Sequence, residues 1–376
     1  MHWITTIRTI LVDITMNRVT IRNSFSEPRH LAYVPSNIVS LLRRIDLAQG
    51  GVDRTARDAP ALADSLAARS RIDSVIASNE IEGIRTEHRR AERLIRDEVV
   101  PKGRDEQEIT GYRAALDDVI ANPHDRITVP RLLHWHRELF RYAGPDVAGR
   151  FKRSENRVLN PDGTDRFRTV EARFVEDNVV DLTERAEVAL TSDTCHPVVV
   201  TAAFTLDLLI IHPFEDGNGR TGRIASNAML ARADYTVGRY ISIEQLLGDR
   251  RTAYYRSLLD STRGWHEADH TIWPWTEFFC EVLLEAYLKL GRRLHQTTPA
   301  ANRAIVVAWL RDDAPMTFSM GDVRSALAGI PPGAIRNALN DAREVGAVDL
   351  RGTGRASRWV VVDRSRLRSD RDDGAP

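Results

Sequence analysis

A twelve-residue string between two apolar helical patterns carries residue types that could bind a polyphosphate. Residues 212–223 read HPFEDGNGRTGR. The glycines on either side of Asn218 allow a tight turn whose backbone N–H groups point one way, and a helix that starts there makes an anion site. Arg220 and Arg223 are three residues apart and can face the same ligand. The spacing therefore predicts a site for a chain of phosphates.

Two further side chains in the string could supply a metal ligand and a base. Asp216 lies beside the predicted phosphate site, and Mg²⁺ needs only one or two carboxylates because it keeps most of its waters. His212, four residues upstream, is the side chain suited to accept a proton near neutral pH. A histidine after an apolar helix is more often a packed core residue, so the catalytic interpretation of His212 depends on the residues that follow it.

The glycine spacing also matches a different phosphate-binding motif. Gly217, Gly219 and Gly222 have the GxGxxG spacing of dinucleotide-binding folds, which require a strand before the first glycine and a βαβ unit around it. The apolar run over residues 198–211 instead has helical spacing and is too long for an ordinary strand. This context argues against a dinucleotide-binding fold.

Apolar residues at helical spacing predict that most of the chain is helical. Over residues 60–97 one long helix is expected to begin near Pro60 and to end at Gly83, after which a second helix begins. Further helices are predicted over 107–121, 129–142, 175–191, 197–211, 220–233, 250–261 and 273–294. Between them, residues 150–173 are polar and rich in turn residues, with NPDG at 160–163 as the sharpest turn signal, and predict a β-hairpin.

A second motif, SNEIEG at residues 78–83, lies at the predicted end of the long helix. Ser78 and Glu82 are four residues apart and share one face of that helix, and Gly83 frees the chain directly afterwards. Glu82 can then be presented at the helix end. Because a glutamate at a helix end is usually a solvated surface residue, this motif gains a functional meaning only beside the string at 212–223.

The string at 212–223 resembles the signature of the Fic family, His-x-Phe-x-Asp/Glu-Gly-Asn-Gly-Arg-x-x-Arg, with every fixed position present. The resemblance extends over roughly residues 60–290. Within it, GRF at 149–151 is similar to the entry of the family's flap hairpin, His196-Pro197 to the start of the preceding helix, and Tyr254-Tyr255 to the nucleotide-pocket tyrosines. The resemblance implies a mainly α fold, a Fic-type helical bundle with a β-hairpin flap.

The same resemblance implies a protein adenylyltransferase that moves AMP from ATP to a Ser, Thr or Tyr hydroxyl of a target protein or of itself. His212 would take the proton from the hydroxyl, Phe214 would anchor the loop, and Asp216 would bind Mg²⁺. In-line attack at the α-phosphorus would release pyrophosphate without a covalent enzyme intermediate. The residues implied to bind ATP are Gly217, Asn218, Gly219, Arg220, Thr221, Gly222, Arg223, Tyr254 and Tyr255.

The motif at 78–83 resembles the family's inhibitory motif, Ser/Thr-x-x-x-Glu-Gly/Asn, in the class whose inhibitory helix precedes the core. By that resemblance Ser78, Glu82 and Gly83 form the inhibitory element. Glu82 would pair with Arg223 and force ATP into an unproductive pose. Removal of AMP, transfer of UMP or phosphocholine, and an ATP-dependent switch in a DNA-binding regulator stay open as alternatives.

Three other features carry weaker signals. The flap reads RFRTVE at 166–171 where many relatives have a Pro-Pro pair, and this leaves target choice open because the flap adds a strand to the target backbone. His134 and His136 are two residues apart on a predicted helix and point to different sides, so we interpret them as packing residues. Cys195 beside His196 lacks the geometry of a Cys-His nucleophile pair.

After residue 299 the pattern changes to a small α+β unit that resembles a winged helix, with three helices, a turn at 329–332 and a β-ribbon over 348–362. A recognition face and a wing could meet phosphates, although neighbouring acids dilute the patch. Binding of DNA or of protein through residues 300–363 stays open, as does a homodimer. The residues of the face are Arg336, Asn337, Asn340 and Arg343, and those of the wing are Arg351, Arg355 and Arg358.

The composition bounds the class of protein. Lys plus Arg and Asp plus Glu both number 53, which argues against a surface built throughout for nucleic acid or anionic membrane. Cys195 and Cys280 are too few for a disulfide framework or a zinc cage. No apolar run is long enough to span a bilayer, and residues 1–20 lack a secretory signal. We therefore expect a cytoplasmic protein that does not enter the membrane.

The expected domain order follows from these patterns. An N-terminal segment over 1–55 precedes a Fic domain over 56–295, which includes the inhibitory helix at about 60–83. The winged-helix-like domain follows over 300–363. The charged end, 364–376, is expected to be a disordered tail.

Overall fold

The computed structural model describes residues 23–58, 60–144, 146–156, 158–159, 165–192, 194–295, 299–327, 330–352 and 357–367. The chain divides into two compact units, one of residues 1–44 and 70–283 and the other of residues 45–69 and 284–376. The predicted turn at 160–163 lies outside the described residues, and so do Gly329, Arg355 and residues 368–376.

Helices dominate the described chain, which confirms the mainly α fold. Up to residue 295 they are α1 Ser36–Asp58, α2 Pro60–Ile81, α3 His88–Ile95, α4 Arg104–Ala121, α5 Val129–Phe140, α6 Val175–Thr191, α7 Pro197–Ile211, α8 Asn218–Arg232, α9 Ile243–Asp249, α10 Arg251–Thr262 and α11 Trp273–His295. A hairpin of β1 (Val158–Leu159) and β2 (Asp165–Phe167) follows α5. Its strands are antiparallel, with Val158 opposite Phe167 and a register irregularity at Leu159.

Helix α7 is the centre of the first unit. Every residue from Val198 to Ile211 except Leu209 is buried. A helix that is apolar around its whole circumference must be covered on all sides, and α6 and α8 pack directly against it. Helix α4 packs against both α5 and α8. The carboxyl end of α7 therefore meets the amino end of α8 inside the unit.

The sequence at both ends of α7 explains where the helix begins and stops. His196 is the N-cap, and its Nδ1 accepts the Val198 N–H at 3.3 Å, while Pro197 occupies the first position. At the other end His212 adopts the left-handed conformation, with φ 52° and ψ 60°, and donates its N–H to Leu208 O at 3.1 Å. The chain turns away from the helix axis at His212.

Residues 23–30 form an arm that lies against α7. Ser24 donates its N–H and its Oγ to the Asp207 carboxylate, at 3.0 and 2.9 Å. Trp265 Nε1 donates to the same carboxylate at 2.7 Å. Asp207 is five residues before His212 on α7, so these contacts hold the helix that carries His212.

The second unit contains the predicted small α+β arrangement. Its elements after residue 298 are α12 Pro299–Asp312, β3 Thr317–Phe318, α13 Met320–Ala326, α14 Pro332–Glu344, β4 Val348–Arg351 and β5 Arg358–Val361. Strand β5 lies between β3 and β4 and is antiparallel to both. The apolar core between helices and sheet includes Leu310, Phe318, Leu339 and Trp359.

The polar face expected on α14 is exposed, and part of its charge is paired. Arg336, Asn337, Asn340 and Arg343 all lie on the surface. The Arg343 guanidinium lies 3.5 Å from Asp349. Arg351 and Arg358 of the predicted wing are exposed as well. Residues 364–367, expected in the tail, form a 3₁₀ turn whose Leu367 is buried.

Two helices go beyond the sequence expectations, namely α1 and α9, whereas α3 is the second helix, expected after Gly83. Helix α1 contains the pair Gly50-Gly51, which lowers helix propensity in its interior. Helix α3 is only eight residues long and depends on Glu87, whose carboxylate accepts the N–H groups of Arg89 and Arg90. None of the helices in the described part of the chain combines the length and the apolar run that crossing a bilayer requires.

Candidate functional site

Hydrogen bonding fixes the tautomer of His212. Its Nδ1 lies 3.1 Å from Leu209 O. Because a carbonyl oxygen only accepts, Nδ1 carries the proton and Nε2 keeps its lone pair in the neutral ring. Burial, with a smaller contribution from the charge of Lys152, lowers the pKa of His212 to about 4. At neutral pH the imidazole is therefore an uncharged proton acceptor.

The side chain of Asn218 closes the loop that follows His212. Its Oδ1 accepts the Phe214 N–H at 2.9 Å, and its Nδ2 donates to Phe214 O at 2.8 Å. Asn156 Nδ2 donates to the same carbonyl, also at 2.8 Å. The Phe214 ring is fully buried. Reciprocal hydrogen bonds and one aromatic anchor thus hold the turn in a single conformation.

His136 packs, as the sequence predicts, and it also holds the loop. Its ring stacks on Phe214 with centroids 3.9 Å apart and planes at 5°. Its Nδ1 accepts the Gly149 N–H at 3.0 Å, so Nε2 carries the proton in the neutral ring and donates to Asp216 O at 3.0 Å. Burial lowers the pKa of His136 to about 4. His136 therefore joins α5, the segment before the flap and the loop.

Helix α8 begins with backbone donors that the helix itself does not use. Gly217, its N-cap, has φ 79°, and a Cβ there would lie 2.6 Å from Phe140 Cε2, so a side chain would not fit. The first intrahelical bond runs from Thr221 N to Gly217 O at 2.9 Å, which leaves the preceding N–H groups directed out of the helix end. Thr221 Oγ1 is buried and has no partner in the described part of the chain. This helix start is suited to an anion.

Arg220 is buried beside this helix start. Its Nη1 donates to Glu108 Oε2 of α4 at 2.5 Å, and its guanidinium lies 5.1 Å from the centre of the Phe140 ring. Its Nε is buried without a partner among the described residues. Glu108 thus fixes an arginine that keeps an unused hydrogen-bond donor.

Arg223 is buried, and the motif at 78–83 binds it at Nε and Nη2. Its Nε donates to Ser78 Oγ at 2.8 Å, and its Nη2 donates to Ser78 O at 2.9 Å and to Glu82 Oε1 at 2.7 Å. Burial alone would raise the pKa of Glu82, but the charge of Arg223 and its hydrogen bond outweigh burial and lower it. Glu82 is therefore ionised at neutral pH.

The end of α2 presents Glu82 to this arginine. The helix ends at Ile81, and Gly83 has φ 84°. The Ile84 N–H donates back to Asn79 O at 3.0 Å, which closes the last turn. The Glu82 carboxylate reaches over the start of α8 so closely that a Cβ on Gly219 would collide with Glu82 Oε1. Gly222, one turn on, lets α8 approach Leu209 of α7.

The two predicted pocket tyrosines differ in their surroundings. Tyr254 is buried, and burial raises the pKa of Tyr254 to about 12 although the nearby charge of Arg223 lowers it. Tyr255 is half-buried, with its ring centroid 5.0 Å from that of Tyr254, and the Arg251 guanidinium lies 5.7 Å from its centre. The structure therefore brings Tyr254 to the arginine of the site and places Tyr255 beside it.

Lys152 ties the base of the flap hairpin to the loop. Its N–H donates to Pro213 O at 2.9 Å, and its Nζ donates to Asn156 Oδ1 at 2.8 Å and to Thr169 Oγ1 at 3.1 Å. Asn156 precedes β1 and Thr169 follows β2, so one buried ammonium joins both ends of the hairpin. The Phe167 ring of β2 lies 6.2 Å from the His212 ring.

The site residues predicted within 212–223 lie together around the start of α8. Asp216, the candidate metal ligand, lies at the surface. Asp216 is 55% exposed in its side chain, and its Oδ1 accepts the Gly217 N–H at 2.6 Å. Cys195 lies before the amino end of α7, the end opposite His212, and burial raises the pKa of its thiol. The residues that the sequence predictions did not include are Glu108, Arg104 and Lys152.

Fold and site together define a helical domain with a helix start suited to an anion and a histidine at the end of the preceding helix. Residues 126–230 match the family model described as Fic/DOC family, and the match contains the whole loop from 212 to 223. This part of the chain is therefore similar to the Fic/DOC family.

Curated relatives match a limited part of the chain. Protein adenylyltransferase Fic of Culex quinquefasciatus is 32% identical over 134 residues, which are 34% of this chain and 25% of that protein. Protein adenylyltransferase Fic of Drosophila melanogaster is 29% identical over 200 residues, 51% of this chain and 36% of that protein. The chain thus spans about a quarter to a third of the length of these relatives.

Solved structures resemble the chain over more of its length. A Fic family protein from Desulfovibrio desulfuricans G20 superposes with a TM-score of 0.60 at 24% identity, covering 88% of this chain and 97% of that one. A Fic domain containing signaling protein from Bacteroides thetaiotaomicron gives 0.54 at 18% identity, covering 68% and 96%. These likenesses confirm the Fic-type helical fold.

Proposed function

We propose that the chain is a protein adenylyltransferase that transfers AMP from ATP to a hydroxyl of a protein and that is held inactive by Glu82. The observation that carries the proposal is the meeting of three groups at one helix start. Neutral His212, the unpartnered donors at the start of α8 and the arginines at 220 and 223 all lie there. The relatives named protein adenylyltransferase make AMP the default group.

In this proposal the chain's own residues position the reactants and move one proton. The α8 N–H groups and Arg220 bind the phosphates of ATP as substrate and stabilise charge that develops on them. His212 Nε2 accepts the proton of the attacking hydroxyl, while Leu209 O keeps Nδ1–H in place. The hydroxyl oxygen attacks the α-phosphorus and pyrophosphate leaves.

The proposal includes a divalent cation. The ligands that the protein offers fit a cation that binds together with the nucleotide. Among the described residues, no cluster of three or more His, Cys, Asp or Glu side chains could hold a metal by itself. Mg²⁺ binds through one or two carboxylates together with substrate phosphates, and Asp216 offers one exposed carboxylate at the loop. When bound, Mg²⁺ would neutralise phosphate charge.

The inhibitory part of the proposal depends on Arg223. Ser78 and Glu82 bind its guanidinium at Nε and Nη2, so this edge of the arginine is not free for an outer phosphate. The Glu82 carboxylate also adds negative charge directly above Gly219. Both effects disfavour a polyphosphate in the pose that in-line attack requires.

The flap contributes to target choice in this proposal. Strand β2 places Phe167 beside His212, where a target segment added to the hairpin would present its hydroxyl. The expected ranges of 56–295 for the Fic domain and 300–363 for a winged-helix-like domain belong to the same proposal.

The experiment compares purified wild type, Glu82→Gly, and Glu82→Gly with His212→Ala, each incubated with α-labelled ATP and Mg²⁺, alone and with host lysate. We expect Glu82→Gly to raise the incorporation of labelled AMP about tenfold or more above wild type. Adding His212→Ala to Glu82→Gly should abolish it. Glu80→Gly is the matched control, because Glu80 is exposed on the same last turn of α2. Labelled UTP and CDP-choline in parallel test the donor. Equal incorporation by wild type and Glu82→Gly would contradict inhibition by Glu82, and no incorporation by any variant would contradict the transferase.

A further inference from the structure

Four charged side chains form a closed ring next to the helix start of α8. Glu108 accepts Arg104 Nε on Oε1 at 2.7 Å and Arg220 Nη1 on Oε2 at 2.5 Å. Both arginines also reach the loop carboxylate, with Arg104 Nη2 at 3.6 Å from Asp216 Oδ2 and Arg220 Nη2 at 3.8 Å from Asp216 Oδ1. Each side chain in the ring therefore has two neighbours of opposite charge.

The two arginines of the ring differ in their freedom to move. The Arg220 side chain is 2% exposed, whereas the Arg104 side chain is 66% exposed. Arg104 is held at Nε by Glu108, and its terminal groups make only the long contact to the half-exposed Asp216. An exposed ion pair of this kind contributes little to stability, so exchanging it for another anion costs little.

We propose that Arg104 is a further phosphate-binding residue of this site and takes the outer phosphates of the bound nucleotide. The inference rests on the proposed function, since it needs a nucleotide whose phosphates lie at the start of α8. Glu108 aims the guanidinium at the loop, and the two terminal nitrogens match the spacing of phosphate oxygens. Arg104 makes this contact in addition to any that Arg223 makes, because Arg223 is bound by Ser78 and Glu82 on other elements.

If Arg104 contacts only the outer phosphates, its replacement should not change the affinity for a nucleotide that lacks them. AMP carries only the phosphate that lies innermost, whereas ADP and ATP extend beyond it. The contrast between AMP and ADP affinity therefore separates a direct phosphate contact from a general loss of the site.

The test is calorimetric binding of AMP, ADP and ATP to Glu82→Gly and to Glu82→Gly with Arg104→Gln, in Mg²⁺ and again in EDTA. We expect ADP and ATP to bind about tenfold more weakly to the double variant in both solutions, with AMP affinity unchanged. Arg185→Gln is the matched control, because Arg185 is an exposed arginine that pairs with Asp181 one helical turn away. The control variant should bind all three nucleotides as Glu82→Gly does.

A double-mutant cycle that combines Arg104→Gln with Arg220→Lys tests whether Arg104 acts only by holding Glu108 and Arg220 in place. Independent contacts give losses of ADP affinity that add, whereas an effect through Arg220 disappears once that residue is changed. Non-additive losses, an equal loss for AMP, or unchanged ADP binding would each overturn the role of Arg104. Failure of Glu82→Gly to bind any nucleotide would overturn the proposed function along with it.

Discussion

Glu82 Oε1 accepts a hydrogen bond of 2.7 Å from Arg223 Nη2, between residues 141 positions apart in the sequence. The same nitrogen donates to Ser78 O, and Nε donates to Ser78 Oγ. One arginine of α8 thus binds both ends of the last turn of α2. The pair joins the phosphate site to a helix that otherwise takes no part in it.

The two residues of α2 should contribute unequally to inhibition. Ser78→Ala removes one neutral acceptor and leaves the ion pair, so we expect auto-modification to rise only a few-fold above wild type. Glu82→Gln removes the charge but keeps a carbonyl acceptor, and should give a larger rise that stays below that of Glu82→Gly. Initial rates with labelled ATP measure the order. A rate for Ser78→Ala equal to that of Glu82→Gly would show that the charge is not the main restraint.

His212 should stay active as a base well below the ordinary histidine range. Its pKa of about 4 lies below the ordinary value of 6.5, so the neutral form predominates throughout pH 5.5 to 8. We expect kcat/KM of Glu82→Gly to be nearly constant over that range, whereas an ordinary histidine would lower it about tenfold by pH 5.5. NMR titration of the ring protons, assigned with His212→Ala, checks the ionisation directly. A midpoint near 6.5 in either measurement would contradict the effect of burial.

Replacing His136 by phenylalanine should loosen the loop while keeping its packing. The ring stack on Phe214 can persist, but Gly149 N–H and Asp216 C=O lose their buried partner, at a cost of about 2–4 kcal/mol in the free energy of unfolding. His134→Phe on the same helix is the control, because His134 is only half-buried. Urea unfolding of both variants measures the difference. Equal stabilities would show that the two hydrogen bonds contribute nothing.

The pH dependence of stability offers a second measurement on His136. Its folded pKa of about 4 is lower than the ordinary value of 6.5, so between these values the unfolded chain binds the extra proton. Its contribution to stability is present above pH 6.5 and is lost as the pH falls toward 4. His136→Phe should therefore show a shallower loss of stability than wild type over this interval.

Loss of Lys152 should free the flap without unfolding the helices. Lys152→Met removes the bonds to Asn156 and Thr169 that join the ends of the hairpin, so amide hydrogen exchange in its described strands, residues 158–159 and 165–167, should accelerate about tenfold. Exchange in α7 should not change. Lys152→Arg keeps the charge and the donors and should restore most of the protection. Uniform acceleration across the first unit would instead indicate a general loss of stability.

The loop at 212–223 and the motif at 78–83 could be predicted because the residues of each are contiguous. Residues 212–223 and 78–83 each contain a whole pattern, and the proline at 197 and the histidine at 212 also mark both ends of α7. Helix α1 could have been found as well. Its Ile38, Leu42 and Ile45 are spaced three to four apart and are buried, although Gly50-Gly51 obscures the pattern.

The supporting residues could not be found in the same way. Glu108 meets Arg220 across 112 positions, and His136 meets Asp216 across 80. Nothing near either residue in the sequence distinguishes it from a charged or aromatic residue on any amphipathic helix. Their roles arise when α4 and α5 pack beside α8, which local spacing does not encode.

Under the proposed inhibition, the position of Glu82 over Gly219 makes the glutamate an internal ligand of the proposed anion site. A group tethered on the same chain has an effective concentration that is set by the backbone and does not fall when the protein is diluted. Inhibition of this kind is independent of how much protein is present. Its release requires an event that moves the last turn of α2, and any molecule that captures that turn would act as an activator.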